Sequence, residues 1–196
     1  MEPLTTENSV IIGKQTWTTK NLNITNFRNG DPIFEAKNEE EWRNASNKRQ
    51  PACACFFFEC DIRPGYESSF PQYGRFYNAC AVNDPRGLAP KGWHIPSEAE
   101  YRELVNFSLF ASKLKSPRDW PQGGGGNNKC GFTALPGGML LDTGRFMYSG
   151  TDCFLWSNSS QSDGTQYALW LSFDSDDARE SFYDPGWGHS VRCIKD

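Results

Sequence analysis

Apolar and polar residues alternate one by one in the last third of the chain, a pattern typical of β-strands. The clearest case is residues 167–174, where Leu171 and Phe173 fall on the face predicted to be core and Trp170 falls on the opposite face. Residues 190–194 alternate in the same way and are predicted to form a closing strand. The last third of the chain therefore predicts a meandering antiparallel sheet.

Short strands are also predicted near the amino-terminal end. Residues 10–17 form two apolar runs around Gly13, which predicts two strands joined by a turn. Three further segments, 87–97, 131–138 and 154–158, mix large apolar residues with Gly, Pro and Ser. That mixture suits short strands that enter tight bends, so we expect a rigid frame that holds long loops.

A first helix is predicted over residues 38–46. Asn38 can cap its amino-terminal end, and acidic residues, Glu41 among them, occupy the first turn. Helical spacing places Trp42 and Ala45 toward the core.

A second and longer helix is predicted over residues 97–115, with Pro117 ending it. Ser97 and Glu100 have the spacing of a capping box. An apolar stripe follows at helical spacing, and further apolar residues widen it, so we expect this helix to be covered on more than one side. The stripe comprises Tyr101, Leu104, Val105, Ser108 and Ala111, and the widening residues are Phe107, Leu109 and Phe110.

Length and composition indicate one domain, residues 1–196, of the α+β class. Aromatic residues make up 14% of the chain, which provides enough large apolar side chains for a core. The 18 glycines and 12 prolines indicate that much of the chain forms loops.

Charge and hydropathy exclude several partner classes. The net charge is −4 and no basic stripe occurs, so nucleic acid is not a predicted partner. No apolar run is long enough to span a bilayer, so direct membrane insertion is not predicted. Residues 1–7 do not resemble a signal peptide.

The seven cysteines are predicted to be mostly reduced and buried, with one disulfide possible. Cys53, Cys55 and Cys60 suggest a zinc cluster, but their spacing differs from that of common zinc motifs. The glycine run within residues 121–128 suggests a phosphate cradle, but no Lys-Ser/Thr pair or helix follows it, so a flexible loop or hinge is predicted.

Eight segments, in this order, resemble the Fibrobacter succinogenes major paralogous domain family. They are residues 12–17, 20–23, 29–33, 81–87, 92–97, 134–138, 155–157 and 190–193. The resemblance implies a C-type lectin-like fold, in which two helices pack on antiparallel sheets. It also implies neighbouring chain termini and long irregular loops displayed on one side.

Members of this family are known as variable proteins of diversity-generating retroelements. The resemblance implies a variable ligand-binding region over residues 157–192 and a protein or glycan ligand on a cell surface. Such a protein would be extracellular, on a cell surface or on a virion. The residues predicted to contact the ligand are Tyr167, Trp170, Ser172, Asp174, Ser181, Phe182, Tyr183, Asp184, Trp187 and His189. Rigid aromatic rings interleaved with Ser and Asp are typical of binding surfaces.

Three other functions stay open on the sequence. A calcium lectin would use the acidic residues 174–180, but their spacing favours a solvated turn. An oxidase of the formylglycine-generating kind shares the expected fold and needs a reactive cysteine. The sequence, however, predicts that Cys193 is a buried thiol and that His94 is a structural histidine. The third alternative function is that of a scaffold domain with no ligand of its own. We predict a non-enzymatic module with no catalytic residue, no cofactor and no metal site.

Overall fold

The computed structural model of the chain describes residues 8–58, 71–121 and 123–196, which form an α+β fold, as predicted. The helices are α1 (Glu39–Asn47), α2 (Ala79–Val82) and α3 (Glu98–Ser108). The strands are β1 (Ser9–Ile12), β2 (Gln15–Thr18), β3 (Phe34–Glu35), β4 (Ala52–Cys55), β5 (Arg75–Asn78), β6 (Trp93–His94), β7 (Met139–Leu140), β8 (Phe146–Met147), β9 (Asp152–Ser160), β10 (Gln166–Ser172), β11 (Ala178–Tyr183), β12 (Gly188–His189) and β13 (Ile194–Lys195). Residues 1–7 and Cys60, both named in the predictions from sequence, lie outside the described residues.

The strands form three sheets, whose orders are β1-β2-β13-β6, β11-β10-β9 and β3-β4-β5-β12-β7-β8. The predicted hairpin around Gly13 and the predicted late meander β9-β10-β11 are both present. One pair, β3 with β4, is parallel, so the sheets are not purely antiparallel as the resemblance implied.

The segment from residue 188 to residue 195 joins all three sheets. It pairs first as β12 with β5 and β7, then Ser190 bridges to Leu155, and finally β13 pairs with β2 and β6. Because it passes from sheet to sheet, only Ile194 of the predicted closing strand 190–194 belongs to a strand, β13. Ile194 lies opposite Trp17, so the two ends of the described chain are neighbours, as the resemblance implied.

The β9-β10-β11 sheet is covered on both faces, and this positions the functional site. One face carries Leu155, Tyr167 and Leu171, which pack in a cluster with Trp17 and Tyr101. The other face carries buried residues that pack beneath residues 181–188, a segment near the carboxyl end that is rich in aromatic side chains. A strand with two covered faces cannot be told from a half-exposed one by alternation alone.

Both predicted helices form, and their starts follow the predicted caps. The Asn38 side chain accepts a hydrogen bond from the Glu41 amide at 2.9 Å, and Trp42 and Ala45 are buried. Ser97 and Glu100 make a capping box at the start of α3. The sequence did not predict α2, a single turn capped by Asn78.

The predicted end of the second helix is wrong. Helix α3 stops at Ser108, because Leu109 adopts a φ of 66°, and a 3-10 turn over Ala111–Lys113 follows. The stripe residues Tyr101 and Leu104 are fully buried. Phe107, Leu109 and Phe110, however, are more than half exposed, so this helix is not covered on several sides as predicted.

The glycine run is packed instead of acting as a flexible loop. A Cβ on Gly126 would meet the Ser112 carbonyl oxygen at 2.1 Å, and one on Gly124 would meet Phe173 at 2.7 Å. Gly124 and Gly126 therefore lie directly against neighbouring residues, where a larger residue would clash, whereas a Cβ on Gly123 would meet nothing within 4 Å.

Arg192 is a fully buried cation that ties segments of the frame together. Its guanidinium donates to the Thr18 and Phe132 carbonyls at 2.8 and 2.9 Å, to the Thr133 carbonyl at 2.9 Å and to Asn21 Oδ1 at 2.6 Å. A buried charge is tolerated only when its hydrogen bonds are satisfied, which these acceptors achieve.

Cysteine chemistry follows the prediction for most positions. Cys53, Cys153 and Cys193 are buried free thiols, and Cys55 is disulfide-bonded. A disulfide at Cys55 removes that sulfur from any zinc cluster. Among the residues described, none of the helices is long and apolar enough to cross a membrane.

Candidate functional site

An aromatic pocket of about 360 Å³ opens on one side of the β9-β10-β11 sheet. It is built by three separate parts of the chain: β7 to β8 and the turn after it, the paired strands β9 and β10, and the end of β11 with the segment that follows it. Its lining consists of Met139, Leu141, Met147, Tyr148, Phe154, Trp170, Tyr183 and Trp187. We call this site the aromatic pocket.

Strand pairing sets one wall of the aromatic pocket. Phe154, Trp170 and Arg179 lie directly opposite one another on β9, β10 and β11, so their side chains share one face. The Phe154 and Trp170 rings stack with centroids 5.9 Å apart, and the Arg179 guanidinium carbon lies 4.7 Å from the Trp170 ring. Trp170 Nε1 donates to the buried Asp152 carboxylate at 2.6 Å, which fixes the indole.

The second wall is a tight turn at the end of β11. The Asp184 carboxylate accepts from the Gly186 amide at 2.7 Å, and the Trp187 amide donates to the Asp184 carbonyl at 3.0 Å. Gly186 is required here because a Cβ would meet Ser46 Oγ at 2.0 Å. The turn brings the Tyr183 and Trp187 rings within 5.6 Å of each other.

Tyr148 forms the outer rim of the aromatic pocket. It is 54% exposed, and its φ of 57° is unusual for a bulky side chain. Its backbone carbonyl accepts from the Thr151 and Asp152 amides at 3.1 and 3.0 Å, which holds the strained turn in place. Met139 and Met147, which lie opposite each other on β7 and β8, complete this side of the aromatic pocket.

Comparison with known proteins places the chain in a family. The sequence model of the Fibrobacter succinogenes major domain matches residues 10–195. This chain belongs to the Fibrobacter succinogenes major domain family. Searches of curated proteins and of solved structures find no match.

In this member of the Fibrobacter succinogenes major domain family, His189 lies beneath the aromatic pocket. It is fully buried, with its ring centroid 3.9 Å from that of Trp156 and 4.9 Å from that of Tyr183. Nδ1 hydrogen-bonds the Gly188 carbonyl at 2.9 Å, and burial lowers the pKa of His189 to about 3. The prediction that His189 contacts a ligand is therefore corrected, because a neutral ring in the core supports the pocket from below.

Three more predicted contact residues do not reach the aromatic pocket. Tyr167 is fully buried on the opposite face of the sheet, where its ring stacks on Tyr101 at 6.2 Å. Phe182 is half-buried on that same face, 5.6 Å from Tyr167. Ser172 is buried and donates to the Asp174 carboxylate at 2.7 Å. For Tyr167 and Phe182, alternation within the strands is the reason they point away from the pocket.

Three of the other predicted residues line the aromatic pocket, and two fall at its edges. Trp170, Tyr183 and Trp187 line the aromatic pocket, while Ser181 is half-buried on the same strand face as Tyr183. Asp184 is exposed and pairs with Arg49 at 3.4 Å. The sequence therefore identified three of the eight lining residues and missed Met139, Leu141, Met147, Tyr148 and Phe154. Of these, Tyr148 has one signal in the sequence, which is that it is an aromatic residue among the turn residues before β9.

Asp174 belongs to a different, polar cavity of about 480 Å³ beside the glycine run. There the Lys115 ammonium donates to the Ser172, Ser175 and Gly124 carbonyls at 2.5, 2.8 and 3.4 Å. Burial lowers the pKa of Lys115. The ammonium cross-links the loop and the strand end, so its hydrogen bonds serve the fold.

Proposed function

We propose that this chain is a non-enzymatic binding domain whose aromatic pocket holds a ligand displayed on a cell surface. The observation that carries the proposal is the pocket itself: five aromatic rings from three segments, four of them half-buried or exposed, surround a cavity of about 360 Å³. Concave sites lined by aromatic and apolar side chains are the usual form of a binding site.

The proposal includes a C-type lectin-like fold. Support comes from the paired strands near both ends of the chain, the helices packed on sheets, and the long loops that carry the pocket. Membership of the Fibrobacter succinogenes major domain family also supports it, because the sequence resemblance to this family implies a C-type lectin-like fold.

We further propose that the exposed and half-buried positions within residues 157–192 vary among sister copies, as in variable proteins of diversity-generating retroelements. Trp170, Tyr183 and Trp187 lie in this region, and their rings are only partly covered. The frame beneath them is held by buried residues such as Arg192 and Trp156. Such an arrangement lets side chains at the pocket change without loss of the core. The ligand would be a protein or glycan, and the protein would act outside the cell or on a virion.

An oxidase of the formylglycine-generating kind is less well supported. It needs a cysteine that reacts as a thiolate. Burial raises the pKa of Cys53, Cys153 and Cys193 to about 12, and it also raises the pKa of the half-buried Cys80 and Cys130. Each free cysteine in the described residues is thus held as a thiol, which favours a binding role.

Binding to arrays of cell-surface glycans and of displayed ectodomain proteins tests the proposal. We expect at least one ligand to bind, and Tyr183→Ala and Trp187→Ala each to weaken binding about tenfold or more, since buried aromatic anchors dominate interfaces. Phe110→Ala is the matched control, because this exposed ring lies outside the pocket lining. Equal affinity of all three variants and the parent chain would contradict the proposal.

A further inference from the structure

We infer that the ligand of the aromatic pocket is a protein, which inserts one large apolar side chain into the pocket and places an acidic group against Arg179. This inference rests on the proposed function and narrows its ligand class from protein or glycan to protein. Three observations carry it: the size of the pocket, the scarcity of free hydrogen-bonding groups in its lining, and the position of Arg179.

The size of the aromatic pocket suits a single anchor. Ligand pockets span roughly 300–1,000 Å³, and this one, at about 360 Å³, lies near the lower end. A cavity of this size is large enough for one large apolar side chain. The flexible methionines Met139 and Met147 in its lining can adapt to the shape of such a side chain.

The lining of the aromatic pocket disfavours a sugar. Four of the eight lining residues, Met139, Leu141, Met147 and Phe154, offer no strong hydrogen-bonding group, and the one polar hydrogen of Trp170 is already donated to Asp152. The polar groups that remain in the lining are the hydroxyls of Tyr148 and Tyr183 and the indole N–H of Trp187. A sugar ring carries several hydroxyls, and each one buried without a partner costs about 1–3 kcal/mol. An apolar side chain carries no such penalty and gains from leaving water.

Arg179 supplies the charge at the edge of this site. It is exposed, lies on the same strand face as Trp170, and its guanidinium carbon is 4.7 Å from the indole ring. Within residues 8–58, 71–121 and 123–196 it forms no salt bridge, whereas Arg102 pairs with Glu180 at 3.1 Å and Arg49 with Asp184 at 3.4 Å.

An arginine held against an aromatic face and lacking a carboxylate is complementary to an acidic group on a partner. The guanidinium can bind a carboxylate through two parallel hydrogen bonds. A ligand that combines an apolar anchor with a nearby Asp or Glu would therefore use both features of the site at once.

Selection of a displayed random 12-residue peptide library against the whole chain, with a glycan array in parallel, tests the inference. We expect the selected peptides to share a large apolar residue within a few positions of Asp or Glu. Their affinity should fall about tenfold or more with Trp187→Ala and with Arg179→Gln. Arg179→Glu should select peptides that carry Lys or Arg at the acidic position. Arg179 is exposed, so these variants keep the fold, which unfolding curves verify.

Two outcomes would overturn the inference and leave the proposed function standing. One is glycan binding that depends on the pocket while no peptide binds, and the other is selected peptides without an acidic residue whose affinity ignores Arg179→Gln. Binding of either ligand class that ignores Trp187→Ala, or no binding at all, would overturn both the inference and the proposed function.

Discussion

His189 illustrates how the surroundings of a single residue decide its role. The sequence places it next to an aromatic loop, which suggested contact with a ligand. In the fold its ring lies between Trp156 and the pocket rings Phe154 and Tyr183, with Nδ1 bonded to the Gly188 carbonyl. Only the three-dimensional packing of residues distant in sequence reveals this burial.

The low pKa of His189 makes stability depend on pH. The folded pKa is about 3, whereas an unfolded histidine titrates near 6.5, so below that pH the unfolded state binds a proton that the folded state does not. Stability therefore falls as the pH drops below about 6.5. Between pH 7 and pH 5 we expect His189 to contribute a loss of about 2 kcal/mol.

Urea unfolding of the parent chain and of His189→Phe at pH 7 and pH 5 measures this contribution. The variant keeps an aromatic ring but cannot titrate, so its loss between the two pH values should be smaller by about 2 kcal/mol. An equal loss in both chains would show that His189 is not held neutral by burial.

At the scale of elements, local signals predicted starts better than ends. Asn38 and Ser97 identified the caps of α1 and α3, because a cap depends on residues three positions apart. The end of α3 depends on the left-handed backbone of Leu109, for which the sequence offers no glycine or proline signal. The exposure of Phe107 is likewise set by which elements pack nearby, which periodicity does not report.

His94 couples the start of α3 to Asp196, the residue that follows the last strand. Its ring contacts the Glu100 and Asp196 carboxylates, each at 2.8 Å. Burial disfavours the charged ring, but these hydrogen bonds outweigh burial and raise the pKa of His94 above its usual value. The resulting stabilisation is complete below the unfolded pKa near 6.5 and disappears as the pH rises through the folded pKa.

His94→Gln should therefore destabilise the chain more at pH 5.5 than at pH 8.5. Because the ring is about one-third exposed, we expect the difference to stay below about 1 kcal/mol. Urea midpoints at the two pH values measure it. A variant that loses more stability at pH 8.5 would have the opposite sign and would contradict this account.

At the scale of the whole molecule, the segment 188–195 holds the three sheets together beneath the aromatic pocket. The sequence predicted the α+β class and the meander β9-β10-β11, but of the predicted closing strand 190–194 only Ile194 is a strand residue. It did not predict that this segment crosses between sheets, nor that Arg192 bonds four partners from residues 18 to 133. These long-range contacts have no signature in the local pattern of the chain.

Replacing Arg192 by Met should lower the unfolding free energy by about 3 kcal/mol or more, because three carbonyls and the Asn21 amide oxygen lose their buried donor. Guanidinium unfolding measures the loss. Arg102→Met is the matched control, since this exposed arginine makes surface salt bridges and should cost less than about 1 kcal/mol. Equal losses in the two variants would argue against a central structural role for Arg192.

The central claim is that the frame, and not the side chains of the aromatic pocket, supplies the stability of the fold. Thermal unfolding of single Ser and Asp replacements at Tyr148, Trp170, Arg179, Tyr183 and Trp187, beside the same replacements at the buried Trp17, Leu155 and Arg192, tests it most directly. We expect the pocket variants to melt within a few degrees of the parent chain, since about 1 kcal/mol lowers Tm by roughly 2–4 °C at this size. The buried variants should melt far lower or fail to fold. Pocket variants that unfold as readily as the buried ones would contradict the claim.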